Sequence, residues 1–373
     1  MVKDALAENL LAHVLGWNPE DMARERPLLQ AMASYKYDDY QQFSPGMRFV
    51  ESLARWLAAF PTTVERSTAY DFIKKRLIFC SAVEINHLVE MAYPDHIRPF
   101  LIRSIAREIS VNPRHVASIT NGEAFRIRQR QCLFLGLSDG ARIAEFRRAN
   151  RELNNEQIWQ THELSVARAR ELLAKLAEHV GQLSGSGETQ TDLRFRTVVL
   201  LDDFSASGTS YYRLKPDGSG SGKIATFHRA ISDPAETLSH IVYPTGSEVI
   251  VLLYMATDVA IKHLREYLTP LGAKSGVTYH VEAVQELSES VRIRPGGGEA
   301  IDDLINRYYD HSVFDEHFEK GGTTDAKYGY AAGGLPVVLH HNTPNNSIAL
   351  LWSYDDRDVV GLFPRVQRHK EEL

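Results

Sequence analysis

Between Thr197 and Ser210 the chain reads TVVLLDDFSASGTS: five residues of buried-strand character run without a break into two carboxylates and then into small residues. A strand with no polar alternation has no solvent-facing side, so it belongs in a parallel sheet covered by helices on both faces. The small residues Ser205, Ala206, Ser207, Gly208, Thr209 and Ser210 let successive main-chain N–H groups turn inward on an anion. A helix expected over Ser207 to Leu214 would offer its positive end to the same anion. Asp202 and Asp203 fall at the carboxyl end of the strand, the edge at which open α/β sheets bind ligands, where they can accept hydrogen bonds from sugar hydroxyls. The plainer alternative is a strand followed by an ordinary helix cap.

The surroundings agree with a parallel sheet. Up to about Ile119 the pattern is helical, with RFVESLARWLAAF, STAYDFIKKRL, VEINHLVEMAY and HIRPFLIRSIARE each carrying apolar residues at helical spacing and no convincing strand among them. After Asn121-Gly122, short apolar runs alternate with helical stretches: CLFLGL, TVVLL, EVIVLLYMA, TYHVEAV, LPVVLH and SIALLW read as strands. Helices are predicted near Ala141 to Ala149, Glu156 to Leu183, Asp258 to Leu268 and Glu299 to Tyr309. The expected organisation is a helical N-terminal domain over residues 1–120 and an α/β domain over 121–373. Ser184 to Thr191 and Asp217 to Gly222 read as exposed loops. Overlapping the second of these, GSGSGK at Gly218 to Lys223 lacks the spacing of a nucleotide-binding Walker loop and is set aside.

Two further constellations stand out. CLFLGLSDGARI is another strand running into a glycine-bracketed turn, Ser138, Asp139 and Gly140, followed by Arg142, Arg147 and Arg148. It suits an anion such as pyrophosphate, or simply a helix capped by Ser138 or Asp139. In LPVVLHHNTPNNSIALLW, His340, His341, Asn342, Asn345 and Asn346 crowd a turn between two expected strands, where amides and imidazoles suit recognition of a base or ribose but are also good turn chemistry. Trp352 and Tyr354 either stack on a base or fill the core.

Charge and cysteine content narrow the function classes. A net charge of −6 argues against nucleic-acid binding by the whole surface, yet nine arginines between Leu101 and Asn150 face only four acids. That segment is either a solvated face or an anion site, with Arg126, Arg128 and Arg130 as its expected contacts. Cys80 and Cys132 lie in apolar sequence without ligand spacing and read as buried free thiols. His311, Asp315, Glu316, His317 and Glu319 form no HExxH, so no protein metal cluster is assigned. Asp4 and Glu8 interrupt any signal peptide, and the longest apolar run, Val249 to Ala256, is far short of a membrane span. A cytosolic location with no membrane partner is the expectation.

The stretch around Asp202 resembles the diphosphate-sugar motif of type I phosphoribosyltransferases: four apolar residues, two acids, two variable residues, then a run of the A-T-G-G-T kind. Ala206-Ser207-Gly208-Thr209-Ser210 matches it except that Thr209 stands where a second glycine is usual, which narrows the backbone conformations available. Together with GLSDGAR, HNTPNN and SAVEINHLVEMAYPDHIRP, it resembles the phosphoribosyltransferase-like proteins of bacterial conflict systems, some of them effectors of anti-phage retrons. The resemblance implies a type I phosphoribosyltransferase-like core, α/β with a mainly parallel sheet flanked by helices. It implies phosphoribosyl diphosphate or a related nucleotide bound with magnesium, Asp202 and Asp203 at the ribose, and Ser205 to Ser210 on the phosphate. Ser138, Asp139, Gly140 and Arg142 would take the pyrophosphate, and His341, Asn342, Asn345 and Asn346 the acceptor. The implied role is a glycosyltransferase-class toxin effector of antiviral defence, restrained by a partner such as a reverse transcriptase with its small DNA. A homo-oligomer is left open. The rival is a nucleotide sensor that has lost turnover and docks on a protein or nucleic acid.

Overall fold

The computed structural model describes residues 2–184, 193–354 and 360–365, so the expected loop from Ser184 to Thr191 lies, but for Ser184, outside the described residues. Its strands are β1 (Ile78–Cys80), β2 (Cys132–Gly136), β3 (Ile158–Trp159), β4 (Thr197–Ser205), β5 (Arg213–Leu214), β6 (Gly220–Ser221), β7 (Glu248–Thr257), β8 (Thr278–Leu287) and β9 (Val337–Leu339). No described helix is long and apolar enough to cross a membrane.

Two compact units divide the chain: Met1–Glu84 with Glu289–Leu373, and Ile85–Ser288. The division does not fall at residue 120, because the N-terminal helices find their apolar partners at the far end of the chain. Leu53, Trp56, Leu57 and Phe60 share one core with Ile301, Leu304 and Ile305, and with Leu350, Leu351 and Phe363. Local sequence starts these helices well. Asn18 accepts the N–H groups of Glu20 and Asp21, and Thr62 with Glu65 forms a reciprocal capping box. Tertiary contacts then close the unit. Phe363 is fully buried, stacked on Phe49 at 5.9 Å and meeting Tyr37 and Tyr40 edge-on, while Tyr40 donates to the carbonyls of Phe363 (3.0 Å) and Pro364 (2.8 Å). Trp56 donates its indole N–H to Leu350 O at 2.8 Å. β1 pairs in parallel with β9, a strand missed by periodicity because three residues carry too little pattern. SIALLW, expected as a strand, is instead loop and the short helix Ala349–Trp352. Trp352 is core: it is fully buried, stacked on Phe318 at 5.6 Å, and donates to Ser347 O.

The second unit holds a five-stranded, all-parallel sheet in the order β3-β2-β4-β7-β8. Its central strands bear out the continuous apolar runs: Val198 to Leu201 and Val249 to Tyr254 are each at most 2% exposed. From β2 the chain goes outward to β3, then returns past β2 to β4, so the strand order reverses between β2 and β4 and leaves a crevice at their carboxyl ends. β3 is only two residues long and sits within the expected helix Glu156 to Leu183, which actually runs from Val166 to Ser184. No helix forms over Ser207 to Leu214. A turn leads instead into the β5–β6 hairpin, and the helix begins at Lys223.

The Phe363 hub yields a direct test. Phe363→Ala should lower stability by about 3–5 kcal/mol, read as a fall in the urea midpoint at unchanged slope. A loss below about 1 kcal/mol would mean the core closes without it.

Candidate functional site

β2 and β4 lie in register from Cys132 opposite Thr197 to Gly136 opposite Leu201, so the two turns that follow them emerge side by side. Leu137 N–H donates to Leu201 O at 3.0 Å, and one residue further Ser138 Oγ donates to Asp202 Oδ1. The Ser138 hydroxyl also accepts the N–H of Gly140 at 3.3 Å, which folds Asp139–Ala141 into a single tight turn. Tyr254, wholly buried on β7, pins that turn from below by donating to Ala141 O at 2.6 Å. Arg142 follows in a left-handed conformation (φ 47°), a strained geometry for a non-glycine residue, and its Nη1 lies 3.5 Å from Asn86 Oδ1.

Asp202 is fully buried and its carboxylate is enclosed by donors. Besides Ser138, it accepts from Asp203 N–H (3.1 Å), the Tyr211 hydroxyl (2.8 Å) and Lys223 Nζ (2.6 Å). Burial, followed by the neighbouring Asp203 charge, pushes its pKa above the usual carboxylate value, while Lys223 and Ser138 oppose the rise. A carboxylate with its lone pairs so engaged is not presented to a sugar. This corrects the expectation that both acids face the ribose: Asp202 fastens the site together, and Asp203 is the half-buried acid at the edge. Asp203 packs over the β2 turn so closely that a Cβ on Gly140 would stand 2.5 Å from its carboxyl carbon.

The loop Ser205 to Ser210 is fixed from several sides. Thr257 Oγ1, at the end of β7, donates to Ala206 O (2.6 Å) and accepts Ala260 N–H (3.1 Å), so one hydroxyl both caps the following helix and holds the loop. Ser205 Oγ accepts Gly208 N–H at 3.2 Å, and the Ser207 and Thr209 hydroxyls are 2.9 Å apart. Gly208 has φ +76°, and a Cβ there would come within 2.8 Å of the His263 ring. Ala206, Ser207 and Thr209 are half-buried and Ser210 is exposed, so part of this run of hydroxyls and main chain meets solvent.

Lys223 is the residue that sequence reasoning passed over. It belongs to the glycine-rich stretch set aside for lacking Walker spacing, and only the β5–β6 hairpin brings it back to Asp202. Its side chain is 34% exposed and its Nζ lies 4.9 Å from the Tyr211 ring centre, so a cation stands at the lip of the site.

The remaining expected residues have other duties or other surroundings. His341, Asn342, Asn345 and Asn346 belong to the first unit, the phosphate loop to the second. Asn346 is buried and donates to Tyr330 O at 2.9 Å, Asn345 O accepts Tyr330 N–H at 2.7 Å, and His341 O accepts from Gln42 at 2.9 Å. His341, Asn342 and Asn345 are half-buried. Two of the arginines expected on a basic surface are interior. Arg128 reaches Ser104 (3.2 Å) and Glu108 (2.5 Å), and Arg130 donates Nε to His179 Nδ1 (3.2 Å), whereas Arg126 is exposed. Cys132 is a buried thiol pushed up to about 12 by desolvation, and Cys80 is buried too. Among the described residues no group of His, Cys, Asp and Glu is arranged to hold a metal ion by itself.

A family model described as PRTase-CE matches residues 53–365, a span that takes in the Ser138–Gly140 turn, the Ser205–Ser210 loop and Lys223. Neither a curated protein nor a solved structure matches the chain.

The Asp202 fastening has a pH signature. An acid whose folded pKa is raised contributes stability that is complete below its ordinary value and lost as pH rises through the folded one. Lys223→Met should raise that pKa further and cost roughly 1.5–3 kcal/mol once Asp202 is ionised. The deficit against wild type, read by thermal melts at pH 5 and pH 8, should therefore widen at the higher pH; an equal deficit would detach Lys223 from Asp202. Gly208→Ala should cost at least about 1–2 kcal/mol, through its left-handed backbone and the approach of the new Cβ to the His263 ring, measured by denaturant unfolding.

Proposed function

The chain belongs to the PRTase-CE family, a phosphoribosyltransferase-like family, and from that premise we propose that its site binds phosphoribosyl diphosphate or a closely related nucleotide and acts at the ribose C1. The observation that supports the reading is the joining of two small-residue turns at the strand-order reversal, Ser138 on one fastened to Asp202 at the root of the other. The sugar phosphate would rest on Ser205 to Ser210, with the Asp203 carboxylate accepting from the ribose hydroxyls. The pyrophosphate would lie toward the Ser138–Gly140 turn and Arg142, whose guanidinium is the charged donor of that loop.

In this reading the C1–O bond to pyrophosphate breaks with its electron pair leaving on the pyrophosphate oxygen, and the sugar carbon becomes oxocarbenium-like. An acceptor lone pair then forms the new bond at C1. Donors already fixed around the leaving group stabilise the departing charge without reorganising, and electrostatic help of this kind usually dominates the rate gain of an enzyme. Magnesium fits as a companion of the diphosphate, since it is usually held by substrate oxygens and one or two carboxylates, and Asp203 is the acid at this edge. When bound it would neutralise charge on the departing pyrophosphate.

Two features favour a second reading, a sensor that keeps the ligand and has lost turnover. Thr209 replaces a glycine of the usual loop, and one acid of the pair is sealed inside. The broader role, an effector of bacterial anti-phage defence restrained by a reverse transcriptase with its small DNA, is supported by the sequence resemblance alone.

Calorimetry with phosphoribosyl diphosphate and magnesium, run beside a pyrophosphate-release assay, separates these readings. Wild type should bind, and Asp203→Asn should weaken binding by roughly tenfold or more through loss of a charged acceptor. Binding with release establishes transfer or hydrolysis, binding without release establishes the sensor, and an absence of binding by wild type overturns both.

A further inference from the structure

Away from the phosphate loop, the second unit carries a groove of about 560 Å³, a volume suited to a small organic ligand. One wall is the helix Arg98–Glu108, which sets Phe100, Arg103 and Arg107 on one face at spacings of three and four. The other is β8, where His280 and Glu282, two residues apart, share a face of the sheet. Val111 and Pro113 add an apolar rim, and Val111 is 38% exposed. The rim is held in place by Val111 N–H, which donates to Ala106 O at 2.9 Å.

The charges in this groove are unbalanced. Glu282 already has a partner, His96 Nδ1 at 3.1 Å. Arg103 and Arg107 lie one helical turn apart, where like charges repel; Arg107 Nε donates to Arg103 O at 3.3 Å, and, after the His96 hydrogen bond, the Arg103 charge helps hold the Glu282 carboxyl below its ordinary value. At the floor, the His280 ring meets Phe100 edge-on at 4.7 Å, and its buried Nε2 makes no hydrogen bond. Two guanidiniums, which outnumber the single carboxylate Glu282 of the lining, and an apolar rim share one concavity, an arrangement that suits an anion with a flat apolar body.

We infer that this groove is a second binding site, for a mononucleotide, with the phosphate on Arg103 and Arg107 and the base against Val111 and Pro113. Guanidinium forks match phosphate oxygens in pairs, and the apolar rim gives a reason for a base that inorganic phosphate would lack. The inference stands apart from the reading of the phosphate loop.

The test keeps the two sites separate. Ser210→Asp places a negative charge in the exposed part of the phosphate loop and leaves the groove intact. Calorimetric titration of AMP into that full-length variant should show binding, and adding Arg103→Gln and Arg107→Gln should weaken it by roughly tenfold or more. Inorganic phosphate should bind Ser210→Asp at least about tenfold more weakly than AMP. Thermal melts confirm that each variant is folded, as expected for substitutions at exposed positions. No AMP binding by Ser210→Asp, or unchanged binding in the triple variant, overturns the proposal. Equal affinity for AMP and inorganic phosphate overturns the nucleotide assignment.

Discussion

The geometry of the candidate site depends on one buried carboxylate. Asp202 draws together four pieces of chain: the turn after β2 through Ser138, its own strand, Tyr211 beyond the Ser205–Ser210 loop, and the helix that starts at Lys223. A buried charge is costly unless every lone pair is met, so any movement of one piece leaves the carboxylate short of a donor and raises the energy of the whole cluster. The arrangement therefore holds its loops in one relation before a ligand arrives. Preorganisation of that kind keeps the donors aimed without drawing on binding energy to order them. Asp203, one residue on, is half-buried, and its carboxylate accepts Phe204 N–H at 2.8 Å.

The same sharing of duties appears at Thr257 and Gly208. A single hydroxyl caps the helix after β7 and holds the phosphate loop, while the absence of a side chain at Gly208 lets that helix come close. The loop is shaped by the elements on either side of it as much as by its own sequence. Thr209 itself has no left-handed backbone, so the loop asks for no glycine at that position.

Much of the sheet was legible because three of its strands, β2, β4 and β7, carry uninterrupted apolar runs, and because small residues behind two acids form a recognisable pattern. Where the reading failed, the information was not local. β1 and β3 have three and two residues, too short for any period, and exist because a neighbour's edge accepts them. The helix expected at Ser207 gave way to the β5–β6 hairpin, since the Tyr211 hydroxyl is drawn inward to Asp202 and the chain must leave in another direction. Lys223 carried no signal by itself: its meaning is its return, through that hairpin, to a carboxylate at the start of the loop. Arg128 and Arg130 looked like surface charge because burial of an arginine depends on partners, Glu108 and Glu156 among them, that sequence spacing does not reveal.

The division of the chain also sets an order of events in synthesis. All five strands of the parallel sheet lie within Ile85–Ser288, so that unit is complete when its last strand leaves the ribosome. The first unit cannot do the same. Its opening helices are made early, yet Leu350, Leu351 and Phe363, which share their core, come only at the far end of the chain. Until then the apolar faces of Leu53, Trp56, Leu57 and Phe60 wait without their partners, a stretch of exposed surface that must be shielded or tolerated while the middle of the protein folds.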